Sequence, residues 1–388
     1  MMVPAVLSLV LSTTGAVRQI PLNGQEWSLE WSPNGQTLAM IDIFSPEDGD
    51  SVKKSTFRLF NPTRTIELPV SDNGWAIDRW KPDGKQIMIS DWYQTLILDM
   101  PSGKIAKRLP PNTYAWWIGD VLCITKKIEV KPNNRVHRWW FGKQERKLPT
   151  GLTFDSASLD GNVLIAEVNK GSNDNNRSTY ALAMIVLDEA GNIRWYKKLL
   201  SGGRLDLRAD YVSSWNPKYG MLARTVDISG APSMLGFVED RFGETALEAL
   251  NIPNESWYGA DNLRWVGERS LTMTMDVSYL NGATPPVYIA LFDAVSKTIR
   301  PIYGSPSMVS YSGSKHSAAI IERQGSGSCR LVICGWKRNN KGEIITTEYV
   351  PADAPRDALG KTQDWSHYII HPSKPLKPTR TRPAIVAR

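Results

Sequence analysis

A strand, a tight turn and a second strand recur along this chain, and this repeated hairpin restricts its fold more than any other feature. Two copies are closely similar, Trp31-Ser32-Pro33-Asn34-Gly35 and Trp80-Lys81-Pro82-Asp83-Gly84, and each runs into an apolar segment. Proline fixes φ early in such a turn and glycine accepts a positive φ, so both segments predict a hairpin. Weaker copies follow at Trp117, Leu159, Trp215 and Trp265, and a faint one lies near Lys315.

A second hairpin follows each first one. Its turns lie about 40 to 54 residues apart and begin at Asn61, Pro101, Gly142, Glu189, Asp240, Ala294 and Asn339. Each unit therefore predicts four antiparallel strands, and one such sheet alone would leave both its faces exposed. We expect an all-β protein, a single β-propeller of seven four-stranded antiparallel blades. Eight blades are the alternative, if an N-terminal hairpin pairs with a C-terminal strand such as Trp365 to Ile370.

The Trp-x-Pro-Asp/Asn-Gly motif at Trp31 and Trp80 resembles the repeat of TolB-like, WD40-like (PD40-type) propellers. This repeat also occurs in the propeller domains of prolyl-oligopeptidase-type enzymes. The copy at Trp215 has an extra residue before its glycine, and neither a Gly-His nor a Trp-Asp dipeptide occurs, unlike in eukaryotic-type WD40 domains. The resemblance implies a non-catalytic propeller that binds a protein or polymer partner through its channel mouth and loops.

The two ends of the chain differ from its body in composition. Val3 to Leu11 is apolar and is followed by small residues up to Ala16, which is typical of a secretory signal, although a strand of a closing blade is the alternative. Residues 372–388 hold five Lys and Arg and no acid, so this Pro-rich tail supplies most of the net charge of +7. We therefore assign 17–350 to the propeller and 351–371 to a candidate closing strand.

These ends carry our expectations about location and partners. A signal over residues 1–16 predicts export to the periplasm or beyond, with a cytoplasmic location as the alternative. The basic tail predicts either a solvated end or contact with an anionic surface. No apolar run is long enough to cross a membrane, and no basic pattern indicates specific nucleic-acid binding. We expect a monomer.

An aromatic residue recurs where each innermost strand is expected to begin, and arginines lie close by in the sequence. Such a set would offer flat surfaces to sugars, prolines or cations at the channel mouth, or it would fill the gaps between blades. The candidate ligand-binding residues are Trp27, Trp75, Tyr114, Phe154, Tyr211, Trp257, Arg79 and Arg264. The ligand hypothesis requires Trp27 and Trp75 to be partly exposed.

No motif for catalysis or for a metal stands out. The sequence lacks a Gly-x-Ser-x-Gly nucleophile motif, and His367 and His371 would lie about 13 Å apart on a strand, too far to share a metal ion. Cys329 and Cys334 fall on opposite faces of a predicted strand and should be buried free thiols. We expect no cofactor, no metal and no catalytic residue. A propeller lyase or hydrolase with a site at the channel mouth is the alternative, and a surface scaffold is the third hypothesis.

Overall fold

The computed structural model describes fifteen stretches of the chain. They are residues 17–45, 53–91, 93–111, 113–131, 134–158, 161–168, 182–199, 214–216, 221–228, 231–239, 256–279, 287–293, 298–305, 307–325 and 327–349. Throughout this part of the chain the regular structure is β: the strands form seven antiparallel sheets, and no helix occurs. The predicted all-β class with four-stranded antiparallel sheets is confirmed. Within these stretches no helix could span a membrane.

The described residues of Met1–Pro111 and Ser307–Val350 form one compact unit of three sheets. Sheet 1 contains β2 (Glu26–Trp31), β3 (Leu38–Phe44), β4 (Lys54–Phe60) and β5 (Arg64–Glu67). Sheet 2 contains β6 (Ala76–Trp80), β7 (Gln86–Ser90), β8 (Thr95–Asp99) and β9 (Lys104–Arg108). Sheet 7 contains β25 (Met308–Gly313), β26 (Ser317–Arg323), β27 (Cys329–Arg338), β28 (Ile344–Thr347) and β1 (Arg18–Leu22).

The described residues between Asn112 and Pro306 belong to a second unit with four sheets. Sheet 3 contains β10 (Thr113–Ile118), β11 (Val121–Lys131), β12 (Asn134–Phe141) and β13 (Gln144–Arg146). Sheet 4 contains β14 (Leu152–Ala157), β15 (Val163–Val168), β16 (Leu182–Leu187) and β17 (Ile193–Leu199). The described strands of sheet 5 are β18 (Ser214–Asn216), β19 (Met221–Ile228) and β20 (Ala231–Glu239). Sheet 6 contains β21 (Ser256–Trp265), β22 (Ser270–Tyr279), β23 (Val287–Asp293) and β24 (Thr298–Ser305).

The predicted turns form where the Trp-x-Pro motif stands. Gly35 and Gly84 have φ of 69° and 71°, the left-handed region that glycine enters without a steric penalty. In the first turn the N–H of Ser32 donates to the Thr37 carbonyl over 2.8 Å, which closes the hairpin between β2 and β3. The motif therefore sets the register between β2 and β3.

Sheets 1 and 2 pack face to face through alternate apolar side chains. In β4 the buried positions Ser55, Phe57 and Leu59 alternate with half-buried ones, the period expected when one face of a strand enters a core. The motif tryptophans are also buried, and Trp80 Nε1 donates to the Glu30 carbonyl in sheet 1 over 3.3 Å. Tryptophan at this position therefore joins adjacent sheets by both packing and a hydrogen bond.

The N-terminal strand β1 completes sheet 7. It pairs with the first half of β27, from Arg18 opposite Ile333 to Leu22 opposite Cys329, while β28 pairs with the second half. The N-terminal strand is thus joined to strands from the C-terminal part of the chain. The predicted closing partner, Trp365 to Ile370, and the segments 1–16 and 351–388 lie outside the described residues.

The prediction that Cys329 and Cys334 are buried free thiols is confirmed, and Cys123 has the same state. Cys329 packs in the apolar cluster that sheet 7 shares with sheet 1, whereas Cys334, five residues on, lies outside that cluster. Burial raises the pKa of Cys123 and of Cys334 to about 12, so these thiols stay protonated and unreactive at neutral pH.

Candidate functional site

Trp27 is one of the predicted aromatic residues that remains partly exposed, and it packs against the buried apolar cluster of sheets 1 and 7. It lies near the start of β2, opposite Asp42 on β3, and Asp42 pairs with Arg58 Nε over 2.7 Å. Gly24 leaves room for the ring, because a Cβ there would lie 3.0 Å from Trp27 Nε1. Trp27 is therefore a fixed, half-buried surface rather than a freely rotating side chain.

The Asp42 carboxyl beneath Trp27 lies fully in the protein interior. Burial raises the pKa of Asp42, while the Arg58 charge and the nearby Trp27 indole act to lower it. The indole nitrogen makes no hydrogen bond of regular geometry, and the contact that Asp42 does make is its ion pair with Arg58. Such buried polar atoms are unusual in a core, and they make this corner of sheet 1 sensitive to substitution.

Trp75 differs from Trp27, since it is 0% exposed. It precedes β6 and turns into the core between sheets 1 and 2, where Nε1 donates to the Pro69 carbonyl over 2.6 Å. The reason is that Trp75 belongs to the loop that enters the strand, and its indole satisfies a carbonyl of that same loop. Trp75 contributes core packing and offers no surface to a ligand.

Tyr114 and Phe154 form a pair in the second unit, with ring centroids 5.3 Å apart. Tyr114 is 37% exposed, and its hydroxyl accepts a hydrogen bond from the Ala157 N–H over 3.4 Å. Phe154 is buried and stacks on Trp116 with centroids 5.2 Å apart. Tyr114 therefore presents part of its ring to solvent, and Phe154 supports it from within the core.

The other predicted site residues are two aromatic residues and two arginines. Trp257 lies on β21, and Tyr211 is outside the described residues. Arg79 is buried and Arg264 is half-buried, and each stands directly before the tryptophan that ends its strand, Trp80 or Trp265. The two arginines thus occupy equivalent positions in sheets 2 and 6.

A β-bulge at Asp78 on β6 is a feature that sequence reasoning missed. Ile77 pairs with Ile89 and Arg79 with Met88, which leaves Asp78 without a partner on β7. Asp78 as a whole is half-buried, and its carboxylate accepts a hydrogen bond from the Ser90 hydroxyl over 2.8 Å. Burial raises the pKa of Asp78 to about 6, against the lowering effects of Ser90 and of the Arg79 charge. Bulges, and carboxyl groups with a shifted pKa, both occur frequently at functional sites.

The strand beside the bulge is β2 of sheet 1. Its Ser28 Oγ accepts a hydrogen bond from the Ile77 N–H over 3.0 Å, next to Asp78. The bulge is therefore fixed from both sides, by Ser90 within the sheet and by Ser28 across the packing of the two sheets.

The loops at the start of β6 and the end of β7 meet at Asp91. Its carboxylate accepts hydrogen bonds from the Ser71 hydroxyl at 2.9 Å and from the Gln94 N–H at 2.8 Å, and its own carbonyl accepts one from the Asn73 side chain. Tyr93 stands 65% exposed on this ordered loop pair. Trp27, Asp78 and Tyr93 thus lie toward the same end of sheets 1 and 2. We call this end the loop end of the first unit.

Metal binding receives no support in the described part of the chain. No group of three or more His, Cys, Asp or Glu side chains comes together there in a way that could hold an ion. His367 and His371 fall outside the described residues.

Comparisons with known proteins identify the fold. No protein-family model matches the chain, and no curated protein matches it in sequence. The β-propeller domain of the trilobed protease from Pyrococcus furiosus superposes with a TM-score of 0.50 at 12% identity, over 84% of this chain and 98% of that one. A Mycobacterium tuberculosis puromycin-hydrolyzing peptidase gives 0.50 at 13% identity, over 84% of this chain and 54% of that one. TolB from Acinetobacter baumannii superposes with a TM-score of 0.37 at 10% identity, over 81% of this chain and 66% of that one.

The chain has a β-propeller fold, and the predicted propeller resemblance is confirmed at the level of fold by the protease and peptidase propellers. Our main functional prediction, a non-catalytic protein- or polymer-binding module, is wrong. The two propellers that superpose with a TM-score of 0.50 belong to a protease and to a peptidase, which favours the hydrolase alternative. The motif by itself could not distinguish these, because the same repeat builds propellers with either role.

Proposed function

We propose that this chain works as the propeller part of a peptide-hydrolysing enzyme. The observation that carries the proposal is its likeness to nearly the whole propeller domain of the trilobed protease, 98% of that chain. The likeness to the puromycin-hydrolyzing peptidase supports it, although this chain spans only about half of that protein. The sequence has no Gly-x-Ser-x-Gly motif, so the bond-breaking residues in this proposal belong to another domain or chain.

In this proposal the seven sheets are the blades of one propeller, and the loop end of the first unit receives the peptide. Trp27 supplies a fixed apolar surface there, and Tyr93 supplies an exposed ring with a polar tip. Peptides offer both apolar side chains and backbone hydrogen-bonding groups, which such a surface can hold. Export of the chain, if residues 1–16 are a signal, would direct the enzyme to peptides outside the cytoplasm.

The test is peptide hydrolysis by the tagged chain isolated under native conditions from its own host. Mass spectrometry should detect cleavage of short peptide amides above the level of a mock isolation. An aromatic contact contributes about 0.5 to 1.5 kcal/mol, so Trp27→Ala should lower kcat/KM roughly 2- to 13-fold. Trp27→Phe keeps the ring and should retain most of the activity, and Ile345→Ala, an exposed apolar position on β28, is the control.

Two results would count against the proposal. Absence of hydrolysis above the mock isolation would reject the peptide-hydrolysing role. Hydrolysis that is equal in wild type and Trp27→Ala would keep the role but remove the loop end of the first unit as the place where peptide binds.

A further inference from the structure

One end of the first unit carries an excess of exposed positive charge. It lies opposite the loop end and is formed by the turns of the two hairpins in each of sheets 1, 2 and 7, so we call it the turn end. Among the described residues in and beside these turns, seven bases are exposed, whereas one acid, Asp83, is exposed. The seven exposed bases are Arg64, Lys85, Lys104, Lys315, Lys337, Arg338 and Lys341.

The loop end of the same unit has no such excess. Its described exposed bases are Lys54, Lys107, Arg108 and Arg323. Its described exposed acids are Glu26, Glu67 and Asp72. Four bases against three acids leave the loop end almost neutral, so the positive charge is concentrated at the turn end.

The acids near the turn end have partners other than the seven exposed bases. Asp83 pairs with the half-buried Lys81 over 2.8 Å, and a second lysine of the same turn also acts on its charge. Asp99 and Glu343 are half-buried and accept hydrogen bonds from neighbouring amide side chains, and the half-buried Glu30 has a partner of its own. In the described structure none of the seven exposed bases forms an ion pair with an acid.

The turns of the three sheets contact one another and form one continuous surface. The β2–β3 turn packs on the β25–β26 turn, since a Cβ on Gly35 would lie 3.0 Å from the Ser314 hydroxyl oxygen. The start of β5 is joined to the β8–β9 turn, because Arg64 Nη1 donates to the Pro101 carbonyl over 3.2 Å. Packed sheets lie about 10 Å apart, so the turn end extends over roughly 20 Å across its three sheets.

The two arginines of this set hold the turns in place. Arg338 donates from Nη1 to the Gly342 carbonyl over 2.8 Å and from Nη2 to the Lys315 carbonyl over 2.7 Å, as Arg64 does to its neighbouring turn. The other five bases are lysines whose ammonium groups make no hydrogen bond to a described residue. A lysine ammonium is a compact point charge on a flexible stem, so these five charges can adjust to a partner.

Two exposed isoleucines stand beside these turns. Ile105 is the second residue of β9 and is 39% exposed, and Ile345 is the second residue of β28 and is 43% exposed. Each follows a turn that carries exposed bases, so the turn end combines positive charge with apolar side chains. Lysines together with exposed apolar residues are typical of proteins that bind at the interface of a membrane.

We propose that the turn end docks on an anionic lipid surface. A single small anion could contact few of seven charges that are spread over three sheets, whereas the headgroups of an anionic bilayer offer many negative charges over such a width. Nucleic acids are bound largely through arginine and stacked aromatic rings. Here both arginines donate to carbonyls, and no aromatic residue is exposed among the described residues of the turn end.

This docking would direct the loop end away from the bilayer, since the two ends lie at opposite ends of the same strands. Each lysine close to an anionic surface strengthens binding about 5-fold. The experiment measures sedimentation of the full chain with phosphatidylcholine vesicles that contain about 30% phosphatidylserine. We expect binding in 0.1 M sodium chloride, much weaker binding in 0.5 M, and none to vesicles of phosphatidylcholine alone.

Two double variants with the same change in net charge test the position of the surface. Lys315→Gln with Lys341→Gln removes two charges from the turn end and should lower the partition coefficient roughly 25-fold. Lys54→Gln with Arg323→Gln removes two exposed charges from the loop end and should lower it less than about 3-fold. All four side chains are exposed, so both variants should unfold at the temperature of the wild type.

Three results would overturn the proposal. One is equal binding to vesicles with and without phosphatidylserine, and another is an equal loss of binding in the two double variants, which would assign the effect to net charge. The third is binding of a fluorescein-labelled DNA duplex under the same conditions without binding to vesicles. None of these measurements uses a peptide, so their outcome does not depend on the proposed function.

Discussion

Asp78→Asn should stabilise the native protein, and the gain should depend on pH. The pKa of Asp78 is raised from 3.8 to about 6, so the native state holds this proton more tightly than the unfolded chain does. Stability from this group is therefore greatest below pH 4 and falls as the pH rises through 6. A difference of roughly two pKa units corresponds to about 3 kcal/mol, which is the upper limit of the destabilisation at pH 8. Asparagine carries no such charge and can still accept from Ser90.

The assay is urea denaturation of wild type and Asp78→Asn at pH 4.5 and at pH 7.5, followed by tryptophan fluorescence. The variant should gain up to about 3 kcal/mol at pH 7.5 and up to about 1 kcal/mol at pH 4.5. Ser90→Ala removes the hydrogen bond to the carboxylate and should increase the difference. An equal effect of Asp78→Asn at both pH values, or a loss of stability at pH 7.5, would refute the reasoning that burial of this charge opposes folding.

Three further predictions concern other parts of the chain. Burial acts to raise the pKa of Asp91, but hydrogen bonds from Gln94, Ser71 and Tyr93 outweigh it and the pKa is lowered. Asp91→Asn should therefore destabilise the protein at pH 7.5 and progressively less as the pH falls below 4, the opposite of Asp78→Asn in the same urea assay. Arg330 donates to Gln19 of β1 and to the buried Glu322 of β26. Arg330→Ala should destabilise the protein by roughly 2 to 4 kcal/mol, and Arg330→Lys by less, in thermal unfolding, because Glu322 loses its cation. Deletion of residues 372–388 should abolish any salt-sensitive retention on an anionic matrix, and unchanged retention would show that the tail does not bind there.

The local structure of this protein could be predicted from its sequence because short-range chemistry determines it. The Pro-Asn-Gly and Pro-Asp-Gly turns predict the hairpins at Trp31 and Trp80, and both form. Alternating apolar residues predict strands with one buried face, as in β4. The same period of two predicts that Cys329 and Cys334 lie on opposite faces of a strand, and both are buried free thiols. The number and spacing of these units then predict a propeller.

The site depends on tertiary structure, which the sequence pattern could not supply. Trp27 and Trp75 each stand a few residues before a motif tryptophan, yet only Trp27 is partly exposed. Trp75 is buried, and its indole donates a hydrogen bond to the Pro69 carbonyl. Asp78 gave no signal of its own, because a bulge depends on how two strands pair. Its pKa depends on burial among residues that are distant in the sequence. Turn chemistry and periodicity are local, and they are readable from the chain. Exposure, register shifts and the cost of a buried charge are set by which sheets pack together, and the tertiary structure alone decides them.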